Sequence, residues 1–90
     1  MALTKETVVD KIEVMEMGQV QVRTATRVKE DGTVLSSSFH RHVLEPSTKN
    51  KSDAWVDTDI SGEDARVQAV ANATWTDSVK TAYQAMVDAT

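Results

Sequence analysis

His40 and His42 are the residues whose types and spacing could most simply do chemistry. On a β-strand, residues i and i+2 project from one face about 7 Å apart, so both imidazoles could reach a single metal ion. Zinc would need a third or fourth ligand, and the chain has no cysteine and no HExxH cluster to supply one. Glu13 shares the predicted face but lies one strand further away. We therefore interpret the pair as surface histidines and predict no metal and no cofactor.

A basic sheet face is the second candidate. It would form a cationic stripe on a protein whose formal net charge is −4. Such a stripe could bind phosphates, an acidic partner or a neighbouring subunit, or it could be an ordinary solvated face. It has no aromatic side chains on which bases could stack, so a protein partner is favoured over nucleic acid. The predicted cross-strand pairs are Arg23 with His40, Gln21 with His42 and Arg27 with Ser36, with Lys11 and Lys29 nearby.

Three side chains need separate explanations. Arg41 falls on the predicted apolar side of its strand, so we expect it to lie at the sheet margin or to pair with Asp10. Trp55 lies in a polar segment, where it would either anchor that segment or act as an exposed hot spot for a partner. Trp75, at a helix start, is predicted to be core. The candidate interface residues are therefore Arg23, Arg27, His40, His42 and Trp55.

Motifs of catalysis and cation binding are missing from the sequence. The acidic segment 57–62 lacks the full ligand series and the closing glutamate of an EF-hand, so calcium is not predicted. The chain has no glycine-rich phosphate loop, nucleophile elbow or triad pattern. We predict that the protein is not an enzyme and has no small-molecule substrate.

Alternating residues in segment 19–44 predict the strands that position these candidates. Val20, Val22, Thr24, Thr26 and Val28 share one side, while polar and basic residues take the other. Asp31 and Gly32 suit a two-residue type I′ turn, in which both central residues have positive φ. The register that follows pairs Val28 with Leu35, Thr24 with Phe39 and Val20 with Val43.

An additional strand is predicted to begin at Thr7 and to form the first hairpin. A three-residue loop of Glu16, Met17 and Gly18 puts Val14 opposite Val20 and Ile12 opposite Val22, which keeps the faces sorted. Such loops commonly end with a glycine in the left-handed region, so a bulge is expected at Gly18. The result is a three-stranded antiparallel meander.

The second half of the chain predicts a loop and two helices. Residues 45–61 form a long polar loop that contains the single proline, and residues 54–56 could add a short edge strand. Ser61 is the expected cap of a helix over 62–73 with Val67, Val70 and Ala71 inward. Thr74 or Thr76 would cap a second helix over 76–89, with an apolar stripe of Val79, Ala82, Tyr83 and Met86.

These elements predict an α+β fold in which two short helices pack on one face of the three-stranded antiparallel sheet. Its 90 residues make a single domain, with the sheet over 7–44. The apolar residues are mostly Val and Ala, which indicates a lean core that docking or oligomerisation would help to stabilise. No segment has the pattern of a signal peptide or the length of a membrane span, so no membrane association is expected.

Several strings in the chain resemble short proteins of tailed bacteriophages, notably phages of cyanobacteria and marine bacteria. They include Ala2-Leu-Thr-Lys-Glu-Thr-Val-Val-Asp-Lys-Ile-Glu-Val14, Val20-Gln-Val-Arg-Thr-Ala-Thr26, Glu30-Asp-Gly32, Phe39-His-Arg-His-Val43 and Gly62-Glu-Asp-Ala65. The similarity covers nearly the whole chain except the loop at 47–59, which is longer here than the usual connector. It implies a virion or morphogenesis protein and carries over no catalytic residues.

We therefore expect a structural component of a tailed-phage virion, associated with the tail, baseplate or fibre and acting by protein–protein docking. Its partners would be other virion proteins and copies of itself, and it would be located in the virion after assembly in the host cytoplasm. The alternatives are a capsid decoration or head-completion protein, and a non-virion phage regulator that binds nucleic acid or a host protein.

Overall fold

Three long strands, a small hairpin and two helices follow one another along the chain, which confirms the predicted α+β class. The computed structural model describes residues 2–90. The large sheet is antiparallel with strand order β1-β2-β3. The elements are β1 (Leu3–Val14), β2 (Val20–Glu30), β3 (Thr33–Leu44), β4 (Ser47–Lys49), β5 (Trp55–Asp57), α1 (Ala65–Thr74) and α2 (Asp77–Asp88).

The β1–β2 hairpin forms as the sequence predicts. The Met15 N–H donates to the Gln19 carbonyl at 2.8 Å and the Gly18 N–H donates to the Met15 carbonyl at 3.0 Å, which leaves a three-residue loop over 16–18. Gly18 has φ +90°, a conformation that glycine adopts without steric cost. The expected pairs, Val14 with Val20 and Ile12 with Val22, are confirmed.

The β2–β3 turn also forms as predicted, but the register beyond it does not. Asp31 and Gly32 have φ +51° and +88°, as a type I′ turn requires, and they join Glu30 to Thr33. The pairing then slips at Leu35, which is an extra residue in β3. Because side chains alternate along a strand, this one-residue bulge turns every later residue of β3 to the opposite face.

Because of this slip, all the β2–β3 pairs that the sequence predicted are wrong. We use "valine face" for the side of the sheet with Val20, Val22, Thr24, Thr26 and Val28, and "arginine face" for the side with Arg23, Ala25, Arg27 and Lys29. His40 and His42 lie on the valine face, and Phe39, Arg41 and Val43 lie on the arginine face. The observed pairs are Val20 with Leu44, Gln21 with Val43, Val22 with His42, Arg23 with Arg41, Thr24 with His40, Ala25 with Phe39, Arg27 with Ser37 and Val28 with Ser36.

The hydrophobic core lies at one end of the sheet, on the valine face. Val20 and Val22 pack there against Val67 and Ala71 of α1, and Trp75 closes the cluster. The Trp75 ring N–H donates to the Gly18 carbonyl at 2.7 Å, so this buried polar group has a partner. Trp75 is therefore core, as predicted. Residues packed around the cluster are Val9, Ile12, Leu44, Ile60, Val70 and Val79.

The segment predicted as a long polar loop contains the hairpin of β4 and β5. Asn50 and Ala54 flank its three-residue loop, in which Asp53 takes a left-handed conformation with φ +61°. The Asn50 side chain accepts from the N–H groups of Ser52 and Ala54, which fixes the turn. Asn and Asp tolerate the left-handed region better than most residues, so the turn signal was present in the sequence.

Both helices form, with bounds shifted from the prediction. The first begins at Ala65, because the Asp64 side chain rather than Ser61 caps it by accepting from the Arg66 N–H. Ser61 instead lies in a turn, where its N–H donates to Asp59. Thr76 caps α2, one of the two predicted options. Tyr83 of α2 is buried and Val79 packs against the core, whereas Ala82 and Met86 of the predicted stripe are exposed.

The helices cover only part of the sheet. A ten-residue helix such as α1 is about 15 Å long, whereas an eleven-residue strand such as β2 spans about 36 Å. The molecule is accordingly elongated, with extents of 56 × 26 × 23 Å. No helix within residues 2–90 is long and apolar enough to cross a membrane.

Candidate docking surface

The predicted basic stripe is neutralised by acidic side chains of β1. The Arg23 guanidinium makes two hydrogen bonds to the Asp10 carboxylate, at 2.9 and 2.7 Å. Arg27 and Lys29 both reach Glu6, at 3.0 and 3.4 Å. Lys11 pairs with Glu13 at 2.8 Å. The arginine face is thus a ladder of cross-strand and neighbouring ion pairs rather than an open cationic surface.

These pairs shift the carboxyl groups towards their charged forms. Hydrogen bonds from Arg23 lower the pKa of Asp10, and a hydrogen bond from Arg27 together with the charge of Lys29 lowers the pKa of Glu6. Lys11 lowers the pKa of Glu13 in the same way. The hydrogen bond with Asp10 in turn raises the pKa of Arg23. At neutral pH each of these basic groups therefore has an ionised partner.

Of the two alternatives predicted for Arg41, the position at the sheet margin is found and the pair with Asp10 is not, because Asp10 pairs with Arg23. Arg41 lies opposite Arg23 on the arginine face, is exposed, and forms no ion pair within residues 2–90. Asp10 occupies a bulge in β1 between Val9 and Lys11, and the bulge aims its carboxylate at Arg23. The bulges at Asp10 and Leu35 together determine which side chains Arg23 and Arg41 can reach. In the sequence, the position of Arg41 on the predicted apolar side was the signal that the predicted register was wrong.

The two histidines are together but do not face the arginines. Their ring centroids lie 6.2 Å apart on the valine face. His40 is exposed, while the His42 Nε2 atom lies 2.7 Å from a carboxylate oxygen of Glu63, just before α1. Within residues 2–90, no group of three or more His, Cys, Asp or Glu side chains is arranged to hold a metal ion. The contact of His42 with Glu63 joins the C-terminal part of β3 to the segment that precedes α1.

Trp55 anchors the small hairpin to α2. Its ring N–H donates to Asp88 at 3.3 Å, and its ring meets the Tyr83 ring edge-on at a centroid distance of 6.1 Å. The Lys49 ammonium lies 5.0 Å from the centroid of the same ring. Trp55 is half-buried by these contacts. Of the two predicted roles, the structure supplies the contacts of an anchor.

Three large apolar side chains of β3 that the sequence analysis had assigned to the core side are exposed. Leu35, Phe39 and Val43 are 56, 52 and 53% exposed. Phe39 is the single phenylalanine of the chain, and the Arg23 guanidinium lies 4.5 Å from its ring centroid. Residues 33–41 are exposed on both faces of the sheet. Large apolar side chains displayed on one strand are typical of an interaction site.

Two recesses on the surface are small for a ligand site. One of about 170 Å³ lies between the β1–β2 loop and α2, lined by Glu16, Met17, Ser78, Val79 and Ala82. Another, beside Arg23 and Arg41, measures about 10 Å³. Small-molecule sites usually enclose about 300–1,000 Å³. The exposed strand is therefore the feature best suited to binding another molecule.

Comparison of this chain with protein-family models, curated proteins and solved structures gives no match.

Proposed function

We propose that this chain is a structural docking subunit of a tailed-phage particle, which binds neighbouring proteins through β3. The observation that carries the docking role is that Leu35, Phe39 and Val43 are about half exposed on a strand whose residues 33–41 are all exposed. A small domain has few large apolar side chains to bury, and this one displays its only phenylalanine on the surface. The phage setting rests on the resemblance of the sequence strings described above.

The charges of the sheet support a protein partner rather than nucleic acid. Binding to a phosphate backbone needs unpaired cations that can replace counterions. On the arginine face, Arg23, Arg27 and Lys29 already contact Asp10 or Glu6. The apolar part of β3 would gain more from burial against a protein than from contact with phosphate.

The test is whether the chain is present in purified phage particles. Mass spectrometry of gradient-purified virions should detect it at a constant ratio to a known structural protein. Cryo-EM of the same particles should place its elongated sheet at the tail, baseplate or fibre. Density on the capsid instead would support the decoration alternative, and absence of the chain from virions would contradict a structural role. Salt-dependent retention on DNA would support the regulator alternative.

A further inference from the structure

The two edges of the large sheet differ in how they are protected. On β1, the bulge at Asp10 interrupts the edge, and the Arg66 guanidinium donates to the Val9 carbonyl at 3.0 Å. Bulges and covering side chains are ways in which proteins prevent edge-to-edge pairing. On β3, residues 36–42 continue without a bulge, and 33–41 are exposed. The β3 edge is therefore open to another strand.

The hairpin geometry shows which peptide groups of β3 point to this edge. The Met15 N–H bonds to the Gln19 carbonyl, so the next residue of β2, Val20, directs its peptide groups away from β1 and towards Leu44. This direction alternates along a regular antiparallel pair. Residues Ser36, Ser38, His40, His42 and Leu44 therefore bond to β2. The peptide groups at the open edge are those of Ser37, Phe39, Arg41 and Val43.

The side chains of β3 are arranged symmetrically about Phe39. Within the regular segment 36–42, three polar residues precede it and three polar residues follow it. The order along the strand is Val34, Leu35, Ser36, Ser37, Ser38, Phe39, His40, Arg41, His42, Val43 and Leu44. A two-fold interface brings the same patch of both subunits together, so it requires self-complementarity of this kind.

We propose that β3 pairs antiparallel with β3 of a second copy of this chain, about a two-fold axis at Phe39. This deepens the proposed docking role and names one of its partners. Phe39 then faces Phe39, polar residues face polar ones, and no two charged residues are directly opposite. Within the regular segment 36–42, the cross-interface pairs are Phe39 with Phe39, Ser38 with His40, Ser37 with Arg41 and Ser36 with His42.

Neighbouring registers fit less well. Moving the axis to Ser38 puts Phe39 opposite Ser37. Moving it to His40 puts Phe39 opposite Arg41 and Val43 opposite Ser37. All three axes pair residues whose peptide groups point outward, so hydrogen-bond direction allows each of them. Side-chain polarity therefore selects the axis at Phe39.

The dimer should depend on protein concentration, because the contact is short. The regular segment 36–42 spans about 23 Å, which is a small interface for a stable dimer. Sedimentation equilibrium over a wide concentration range should show a transition from the 9.9 kDa monomer to twice that mass. Phe39→Lys places two ammonium groups at the axis and should weaken dimerisation at least about tenfold.

A matched control for this variant is Val56→Lys, because Val56 is 42% exposed on β5, away from the large sheet. It should dimerise like the unmodified chain, and circular dichroism should show that both variants fold. Three results would overturn the proposal. The unmodified chain could remain a monomer at every concentration, Phe39→Lys could dimerise as strongly as the unmodified chain, or Val56→Lys could weaken dimerisation as much as Phe39→Lys does. These measurements use the purified chain alone. A negative result would contradict the dimer, whereas absence of the protein from virions would contradict the proposed structural role.

Disulfide formation tests the register with Phe39 intact, because the chain has no cysteine of its own. Chains with Ser38→Cys mixed with chains with His40→Cys should oxidise to mixed dimers, since positions 38 and 40 lie directly opposite. Either variant alone should cross-link poorly, because its own residues would be diagonal, about 7–8 Å apart. A mixture of Ser36→Cys and Ser38→Cys is the control on the same face. Equal cross-linking in the control would overturn the proposed register.

Discussion

Gly18 is the residue at which the structure makes its sharpest stability prediction, for the change Gly18→Ala. Its φ of +90° lies in the region that side chains other than hydrogen disfavour. A Cβ there would lie 2.5 Å from Cγ1 of Val79 and 3.0 Å from Cγ of Pro46. Neither neighbour can move easily, because Pro46 is fully buried and Val79 packs against the core. The loop cannot shift freely either, since its carbonyl accepts from Trp75.

Two separate costs are therefore expected for Gly18→Ala. The left-handed conformation costs an alanine about 1–2 kcal/mol. Forcing a methyl group into a filled site costs about 1–3 kcal/mol more. Together they should reduce the free energy of unfolding by about 2–5 kcal/mol, against a total of roughly 5–13 kcal/mol for a chain of this length. The variant should be strongly destabilised.

The chain supplies matched controls that separate the two costs. Gly32 has nearly the same φ, +88°, but a Cβ there meets nothing within 4 Å, so Gly32→Ala should show the conformational cost alone. Gly62→Ala also has open space and no positive φ, so it should be near neutral. Urea unfolding followed by far-ultraviolet circular dichroism at one low protein concentration measures all three. Equal loss in Gly18→Ala and Gly32→Ala would refute the packing argument.

Three other predictions follow from buried or paired polar groups. Trp75→Phe leaves the Gly18 carbonyl without its donor and should cost about 1–3 kcal/mol in urea unfolding. The pKa of Asp10 is lower in the folded protein than its ordinary value of 3.8, so ionised Asp10 stabilises the fold above that pH, and this contribution is lost as the pH falls through the folded pKa. Asp10→Asn should therefore have a lower free energy of unfolding than the unmodified chain at neutral pH, and the difference between the two should become smaller in acid. Burial, with help from Glu45, raises the pKa of Tyr83, the only tyrosine, to about 12. The phenolate absorbance should therefore titrate near that value in the folded protein and near about 10 in urea, with stability lost as the pH rises between the two.

The turns of the large sheet could be predicted from sequence because their chemistry is local. Gly18 ends a three-residue loop, and Asp31 with Gly32 supplies the two positive φ values of a type I′ turn. In each case the turn residues and the alternation of the flanking strands agree. The helices follow from caps and periodicity, although Asp64 rather than Ser61 provides the first cap. Local signals of this kind need no knowledge of distant contacts.

The faces of β3 could not be predicted because one bulge residue reverses them. Leu35 has no side-chain feature that marks a bulge, and a bulge-free register satisfied the apolar alternation of β2. The slip exchanges the environments of His40 and Phe39, so the predicted pairing of Arg23 with His40 became a contact of Arg23 with Phe39. The acidic residues that pair with the arginines come from β1. Nothing in the sequence signals the bulge at Asp10 in that strand either.

The polar residues around Phe39 limit the registers in which the exposed strand β3 can pair. A flat, fully apolar edge would pair with many strands in many registers. Here polar residues at 36–38 and 40–42 flank Phe39, so a register shifted by up to three residues places Phe39 opposite a polar side chain. The ion pairs of Glu6 with Arg27 and Lys29 hold the far end of the sheet, which no helix covers. The same spacing thus limits what else β3 can bind, and this selectivity fits the pairing with a second copy proposed above.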